Sequence, residues 1–341
     1  MDLVTQGVIG AAAAGTVAPR KQLRRWCGVG ALAGWAPDLD VLIRSSSDPL
    51  LFLEFHRHFT HSLFFIPFGA AIVSFIVSRL APRHFAFGAA FGPALVGYAT
   101  HGLLDACTSY GTFLFWPLSA ERVAWNTISI VDPIFTGFLL GGLLFALVRG
   151  GQNRLRVGVL AAVAYLCLGF YQHARALHVQ EALADSRGHP MERFEVKPSF
   201  GNNFLFRSYY QSGDIYHVDA IRIPWFGSEK IYEGASIAAL KKEQPLKSVR
   251  LSEIQRQDVK RFAYFSNNYL IRHPARSDVI GDLRYAFLPN AIEPLWGIQI
   301  IEGQVEQHTP FLNFREMDRA TRRLFWEMLK GDDLNRSKNA Q

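Results

Sequence analysis

Residues 85–107 read FAFGAAFGPALVGYATHGLLDAC. The stretch is apolar for about the length needed to cross ~30 Å of hydrocarbon. It nevertheless ends in two groups that hydrocarbon excludes, His101 and Asp105. Five further apolar stretches surround it, at 3–18, 26–43, 62–78, 133–148 and 157–173. Several lie near the lower length limit for a span. The first two are rich in Ala and Gly, which let helices approach closely. Together they predict a mainly α architecture over 1–180: a multi-pass transmembrane helical bundle of about five to six segments. No basic n-region precedes the first stretch and no A-x-A pattern follows it, so it reads as retained rather than as a cleaved signal peptide.

Composition divides the chain in two. Over its 341 residues it is 49% hydrophobic and 19% charged, against about 25% charged in an average soluble domain. Residues 1–178 hold 13 Lys and Arg against 8 Asp and Glu, net +5, while 179–341 hold 23 against 21, net +2. The second part therefore predicts a soluble α+β domain over 190–330 with a polar tail at 331–341. Strand alternation marks Arg193–Val196, Asn203–Gln211, Asp214–Pro224, Asn268–Arg272, Val279–Leu288 and Leu295–Glu302, with Ser212-Gly213-Asp214 as a hairpin turn. Helical patterns fall at 236–247, 251–266 and Glu316–Leu329. Phe204, Phe206, Tyr209, Tyr210 and Tyr216 sit at strand spacing and predict core. Cys27, Cys107 and Cys167 form no CxxC pair, so a zinc ribbon and a thioredoxin motif are excluded.

The basic excess does not predict a nucleic-acid partner, because it lies in short loops between apolar segments. Arg20, Lys21, Arg24 and Arg25, then Arg79 and Arg83, then Arg149, Arg154 and Arg156 occupy alternate loops if all six segments span. The positive-inside rule then places the three basic loops in the cytoplasm and the His/Asp loops and the C-terminal domain on the outer side, which in a bacterium is the periplasm.

The polar residues of the first part are few and gathered. Asp38 and Asp40 close the second stretch, His56, Arg57, His58 and His61 open the third, and His101 and Asp105 end the fourth. A charge at mid-bilayer costs about 2.5–3.5 kcal/mol, so such residues are paired, hydrated or functional. His101 and Asp105 stand i,i+4, which puts them on one helix face. Asp38 and Asp40 would diverge on a helix, so an irregular turn at Pro37 has to present both. His56 and His61 converge if a helix starts near Thr60. Three histidines and three carboxylates make a mixed N/O donor set, suited to Zn²⁺ first and to Mn²⁺ or Fe²⁺ next, with room for two ions. The candidate ligands are Asp38, Asp40, His56, His61, His101 and Asp105; His58 is left outside. HExxH, GxSxG and the phosphate-binding P-loop are all absent from the sequence.

These residues, in this order, resemble the YdjM-like family of bacterial inner-membrane proteins classed as metal-dependent hydrolases. The resemblance rests on MDLVTQGVIGAA at the start, GWAPDLDVL (34–42), HRHFTHSL (56–63), HGLLDACTSYGTFLFWPLS (101–119) and VAWNTISIVDPIFT (123–136). It covers roughly 1–180 and implies a divalent-metal centre on the six residues named, without supplying a substrate. The reading that follows is a metal-activated water attacking a phosphoester or lipid-linked substrate at the bilayer. Asp40 or Asp105 would act as general base, and Arg57 would hold an anion. Thr60, Ser62, Thr108 and Tyr110 would orient ligands, and Asn126 and Asp132 would close the site or only cap a helix. The competing reading is a scaffold, or a metal- or proton-coupled transporter, whose polar core is structural.

Overall fold

The structure is a computed structural model that describes residues 1–241, 251–304 and 306–334. Asp2 accepts a hydrogen bond from the Thr5 N–H and so starts α1 (Leu3–Val17). The chain then forms α2 (Leu23–Trp35), α3 (Leu51–Phe55), α4 (Ile66–Leu80), α5 (Phe87–Cys107), α6 (Pro133–Arg149) and α7 (Gln152–Ser186). α6 begins with Pro133 in its first turn, and Asp132 accepts from the N–H groups of Ile134 and Phe135. Two compact units result. The first comprises 1–42, 55–171 and 200–203, and the second comprises 43–54, 172–199 and 204–341.

In the first unit α1, α2 and α5 pack at glycines. A methyl group on Gly10 would stand 2.4 Å from the Gly30 carbonyl oxygen, and one on Gly97 would stand 2.3 Å from the same atom. Only hydrogen fits there, so the Ala/Gly richness of the sequence is spent on backbone contact. Around this seam lie two apolar clusters. One gathers Leu23, Leu104, Phe135 and Leu139, and the other Val29, Val73, Val77 and Tyr98.

The expected bundle of five or six membrane spans is corrected here. Among the described residues, only α7 is long and apolar enough to cross a membrane; the bent pair Leu51–His61 and Ile66–Leu80, turned by 89°, would add one if it were a single broken span. The reason is helix length. α1 and α6 are apolar but have 15 and 17 residues, or about 22–26 Å at 1.5 Å per residue, short of the ~30 Å core. α2 has 13 residues and begins with Arg24 and Arg25 inside its first turn. α5 has the length but carries Pro93, His101 and Asp105. The orientation inferred from alternate loops loses its basis with those spans.

The second unit is β-rich. Its strands are β1 (Arg193–Pro198), β2 (Leu205–Ser212), β3 (Ile215–Arg222), β4 (Lys230–Ala238), β5 (Leu270–His273), β6 (Arg276–Asp282), β7 (Trp296–Gln299) and β8 (Phe311–Asn313). They make two antiparallel four-stranded sheets in sequential order, β1-β2-β3-β4 and β5-β6-β7-β8. Ser212 pairs with Ile215 across a two-residue loop whose Gly213 has φ +59°. α8 (Glu253–Phe265) starts with a Ser252–Gln255 capping box, and α9 (Arg319–Lys330) ends at Gly331 in the left-handed conformation. Phe206, Tyr209, Tyr210 and Tyr216 are buried. The helix expected at 236–247 is a strand up to Ala238, where β4 pairs with β3; its positions 242–247 lie outside the described residues, as do 335–341 of the tail.

Lys197 is buried beside Glu195, Nζ to Oε2 3.0 Å. Burial outweighs that attraction and pushes its ammonium down to about 8 from 10.5. Between those values the unfolded chain holds a proton that the folded one has released, so this group's contribution to stability rises as pH increases through the window. Lys197→Met removes it. We expect the Tm of the variant to gain less than that of wild type between pH 8 and 10, by the equivalent of about 1–3 kcal/mol. Equal slopes in thermal melts across that range would refute the assignment.

Candidate metal centre

α2 does not stop cleanly at Trp35. It tightens into a 3-10 segment, Ala36–Leu42, that carries Asp38 and Asp40. A second short 3-10 turn, Phe59–His61, carries His61. α5 presents His101 and Asp105 one turn apart on the face turned towards both segments. Asp38, His61, His101 and Asp105 each offer one donor atom, and the four atoms lie within 4.8 Å of one another. They form a group able to hold a metal ion.

The spacing supports that use. His61 Nε2 is 2.9 Å from His101 Nε2. Asp38 Oδ1 is 3.5 Å from each of these nitrogens, and Asp105 Oδ2 is 3.3 Å from the first and 3.5 Å from the second. Four tetrahedral donors at ~2.0–2.1 Å from a zinc ion stand ~3.3 Å apart. The hydrogen positions point the same way. His101 Nδ1 lies 2.6 Å from the Gly34 carbonyl oxygen, which can only accept, so Nδ1 carries the hydrogen. His61 Nδ1 lies 3.0 Å from Thr60 Oγ1 and 3.3 Å from Asp40 Oδ2, while the Thr60 hydroxyl donates to Asp40 at 3.0 Å. His61 Nδ1 therefore donates as well. Two neutral rings would face each other lone pair to lone pair at 2.9 Å, which either a proton shared between the nitrogens or a metal ion held by both relieves. Asp105 Oδ2 is buried and accepts no hydrogen bond of good geometry; its partner is the charge of Arg57, whose Nε stands 3.3 Å away, so it keeps a lone pair that an ion could use.

The remaining predicted site residues stand around this group. Asp40 is not among the four. It accepts from the Arg57 N–H at 2.8 Å, Thr60 Oγ1 at 3.0 Å and His56 Nδ1 at 2.8 Å. Burial works to raise its pKa, but the hydrogen bonds from His56 and His61 outweigh it and hold the carboxyl below the usual range. His56 converges with His61 on Asp40 rather than on the four-atom group. Arg57 is buried with its Nε 3.3 Å from Asp105 Oδ2 and its Nη1 3.2 Å from Thr108 Oγ1. Its backbone has φ +63°, uncommon for a side chain of this size. Three hydrogen bonds hold it there: its N–H to Asp40, and its carbonyl from Phe113 N–H and Thr112 Oγ1. Tyr110 lies under the guanidinium, 4.8 Å from centroid to Cζ. His58 packs against Phe113 and Trp116. Ser62 donates to the Phe59 carbonyl of its own turn. Asp132 caps α6 and accepts from Tyr165.

Three supports escaped the sequence reading. Gln6 donates to Asp105 Oδ1 at 2.9 Å, beside the amino group of Met1. The Gly34 carbonyl sets the His101 tautomer, and Tyr98 donates to the Thr60 carbonyl at 2.9 Å. Gln6 was detectable: a buried amide in an Ala/Gly helix needs a partner.

Gly102 lets the His61 turn seat on α5, since a methyl there would stand 2.1 Å from the His61 carbonyl oxygen. Gly102→Ala must move that backbone. We expect a loss of about 1–3 kcal/mol, on the scale of an overpacked core, together with weakened metal binding. Gly88→Ala, where an added methyl meets nothing within 4 Å, should be neutral or gain about 0.5–1 kcal/mol. Denaturant melts and metal titrations of the pair would show it, and equal behaviour would count against the seating.

A family model described as YdjM inner membrane protein matches residues 1–176. No curated protein and no solved structure matches the chain.

Proposed function

The chain belongs to the YdjM inner membrane protein family, and from that premise we propose that its first unit is a divalent-metal-dependent hydrolase working at the bacterial inner membrane. The carrying observation is the gathering of one donor atom each from Asp38, His61, His101 and Asp105 within 4.8 Å of one another, with the two histidine nitrogens 2.9 Å apart. Two nitrogens and two carboxylates favour zinc, with manganese or iron as the alternatives. An ion there would supply Lewis acidity towards a substrate oxygen and make water more acidic.

The chain's own residues do the rest. The Asp38 side chain is 15% exposed, whereas those of His61, His101 and Asp105 are fully buried. Substrate and water therefore approach from the Asp38 side, and Asp38 is the carboxylate placed to take a proton from water. Asp40 fixes the ring of His61 and so positions a ligand. Arg57 offsets the charge of Asp105 and keeps it ionised. The substrate class that suits a site in a membrane protein is a phosphoester, lipid-linked where the membrane supplies it.

The test is turnover of p-nitrophenyl phosphate and of a lipid phosphate by detergent-purified protein. Activity that chelator removes, that zinc or manganese restores and that Asp38→Asn loses is the expected result. No hydrolysis with any of the three metals would sink the reading. The Arg57–Asp105 pair would then favour a structural polar core.

A further inference from the structure

A groove of about 790 Å³ lies against α2 and α4 in the first unit. Its wall is almost wholly hydrocarbon and includes Val29, Leu32, Ile72 and Ile76. It runs from Arg24 and Arg25, in the first turn of α2, to Ala36 and Leu39 in the segment that carries Asp38, and it includes Thr60. Along a helix that span is ~18 Å, the reach of an extended chain of on the order of a dozen carbons.

We propose that this groove is a lipid-chain subsite: it takes the hydrocarbon tail of a membrane amphiphile whose phosphate head reaches the Asp38–His61–His101–Asp105 group. The proposal rests on the hydrolase reading above and names its substrate class as a long-chain phosphate ester.

Four observations choose this occupant. The lining is apolar, so a polar ligand would lose its hydration without recovering it. The groove is long rather than round, which fits a chain and not a ring system. Its inner end meets the candidate centre, because Thr60 in the wall also hydrogen-bonds Asp40 and His61. Its flank is exposed and apolar, with Phe64, Phe68 and Phe75 outward along and just before α4, so a chain can enter from hydrocarbon without crossing water. Arg24 and Arg25 stand at the far mouth, where Arg24 Nη2 donates to the Leu147 carbonyl at 3.2 Å and Arg25 is exposed to solvent.

Gly28 offers a clean block. It lines the groove, and a methyl added to it meets nothing within 4 Å. Gly28→Leu therefore adds a bulky side chain at the groove wall without displacing backbone. Ile76→Trp fills it from the other wall and serves if the first variant fails to fold. Gly137→Leu is the control, since that position is equally open but lies on α6.

The experiment uses the full chain in nanodiscs, treated with chelator, and dodecyl phosphate carrying a diazirine on its terminal carbon. After irradiation, labelled peptides are mapped by mass spectrometry. We expect label on α2 and α4, reduced at least tenfold by Gly28→Leu or Ile76→Trp and unchanged by Gly137→Leu. Equal labelling of all three variants would mean solvation by bulk lipid and would overturn the proposal. So would label confined to the outer faces of α6 and α7, or protection that tracks dimerisation of the chain. Because labelling is read without metal or turnover, it stands apart from the hydrolase test. Wild-type hydrolysis of p-nitrophenyl phosphate scores that reading alone.

Discussion

Alanine at position 61 will cost the protein its ion. His61 contributes the nitrogen closest to all three other donors, at 2.9 Å from His101, 3.5 Å from Asp38 and 3.3 Å from Asp105. Removing it leaves one nitrogen and two carboxylate oxygens, and no other described side chain reaches the vacated corner. His56, the nearest substitute in sequence, is turned to Asp40. We expect zinc affinity, measured by competition with a chromogenic chelator, to fall by about 10³-fold or more, against the 10–100-fold typical of losing an outer partner. Asp40→Asn supplies that comparison, since Asp40 holds the His61 ring without offering the group an atom. The contrast between the two variants is the discriminating quantity. Similar losses would mean that Asp40 is itself a ligand. No loss in either would mean that the four-atom group does not bind metal.

This contrast also shows where the sequence stops being readable. The i,i+4 spacing of His101 and Asp105 needs only a helix to become a shared face, and α5 is that helix. Asp38 and Asp40 stand i,i+2, and which of them faces the histidines depends on the path of the Ala36–Leu42 segment. That path is set by α2 tightening at Pro37, a feature no periodicity reports. His56 follows the same rule, since its direction comes from the left-handed backbone of Arg57. Membrane spans failed for a related reason. Hydropathy registers an apolar run but not where a helix ends inside it, and α1, α2 and α6 end too soon. In the second unit the alternation of β2 and β3 was plain and the Gly213 turn followed from it. β4 was not, because GASIAALKK reads as helix by local propensity. Its partner β3 decides the matter, and strand preference depends on such partners.

The largest change in stability is expected at Asp105. Its carboxylate is fully buried and faces Arg57 Nε at 3.3 Å, while Gln6 donates to its other oxygen at 2.9 Å. Arg57 is itself 5% exposed and spends its Nη1 on Thr108. Asp105→Ala therefore leaves a guanidinium buried without the carboxylate it pairs with. Removing one member of a buried pair costs about 3–5 kcal/mol, much of it the isolated partner's lost hydration. That is a large fraction of the ~5–15 kcal/mol total of a folded domain, so the variant should melt far below wild type in chelator-treated protein. The chelator matters, because it separates this loss from the loss of a metal ligand. The mechanism makes a second demand. If the stranded charge is the cause, Arg57→Met should recover part of the stability when added to Asp105→Ala, giving a coupling of about 1–3 kcal/mol in the double-mutant cycle. Strict additivity would place the loss instead in the contacts of Gln6 and the Met1 amino group with Asp105 Oδ1 and in the cavity left by the missing carboxylate. The pair would then no longer explain why an arginine in a left-handed backbone is kept at the centre of the site.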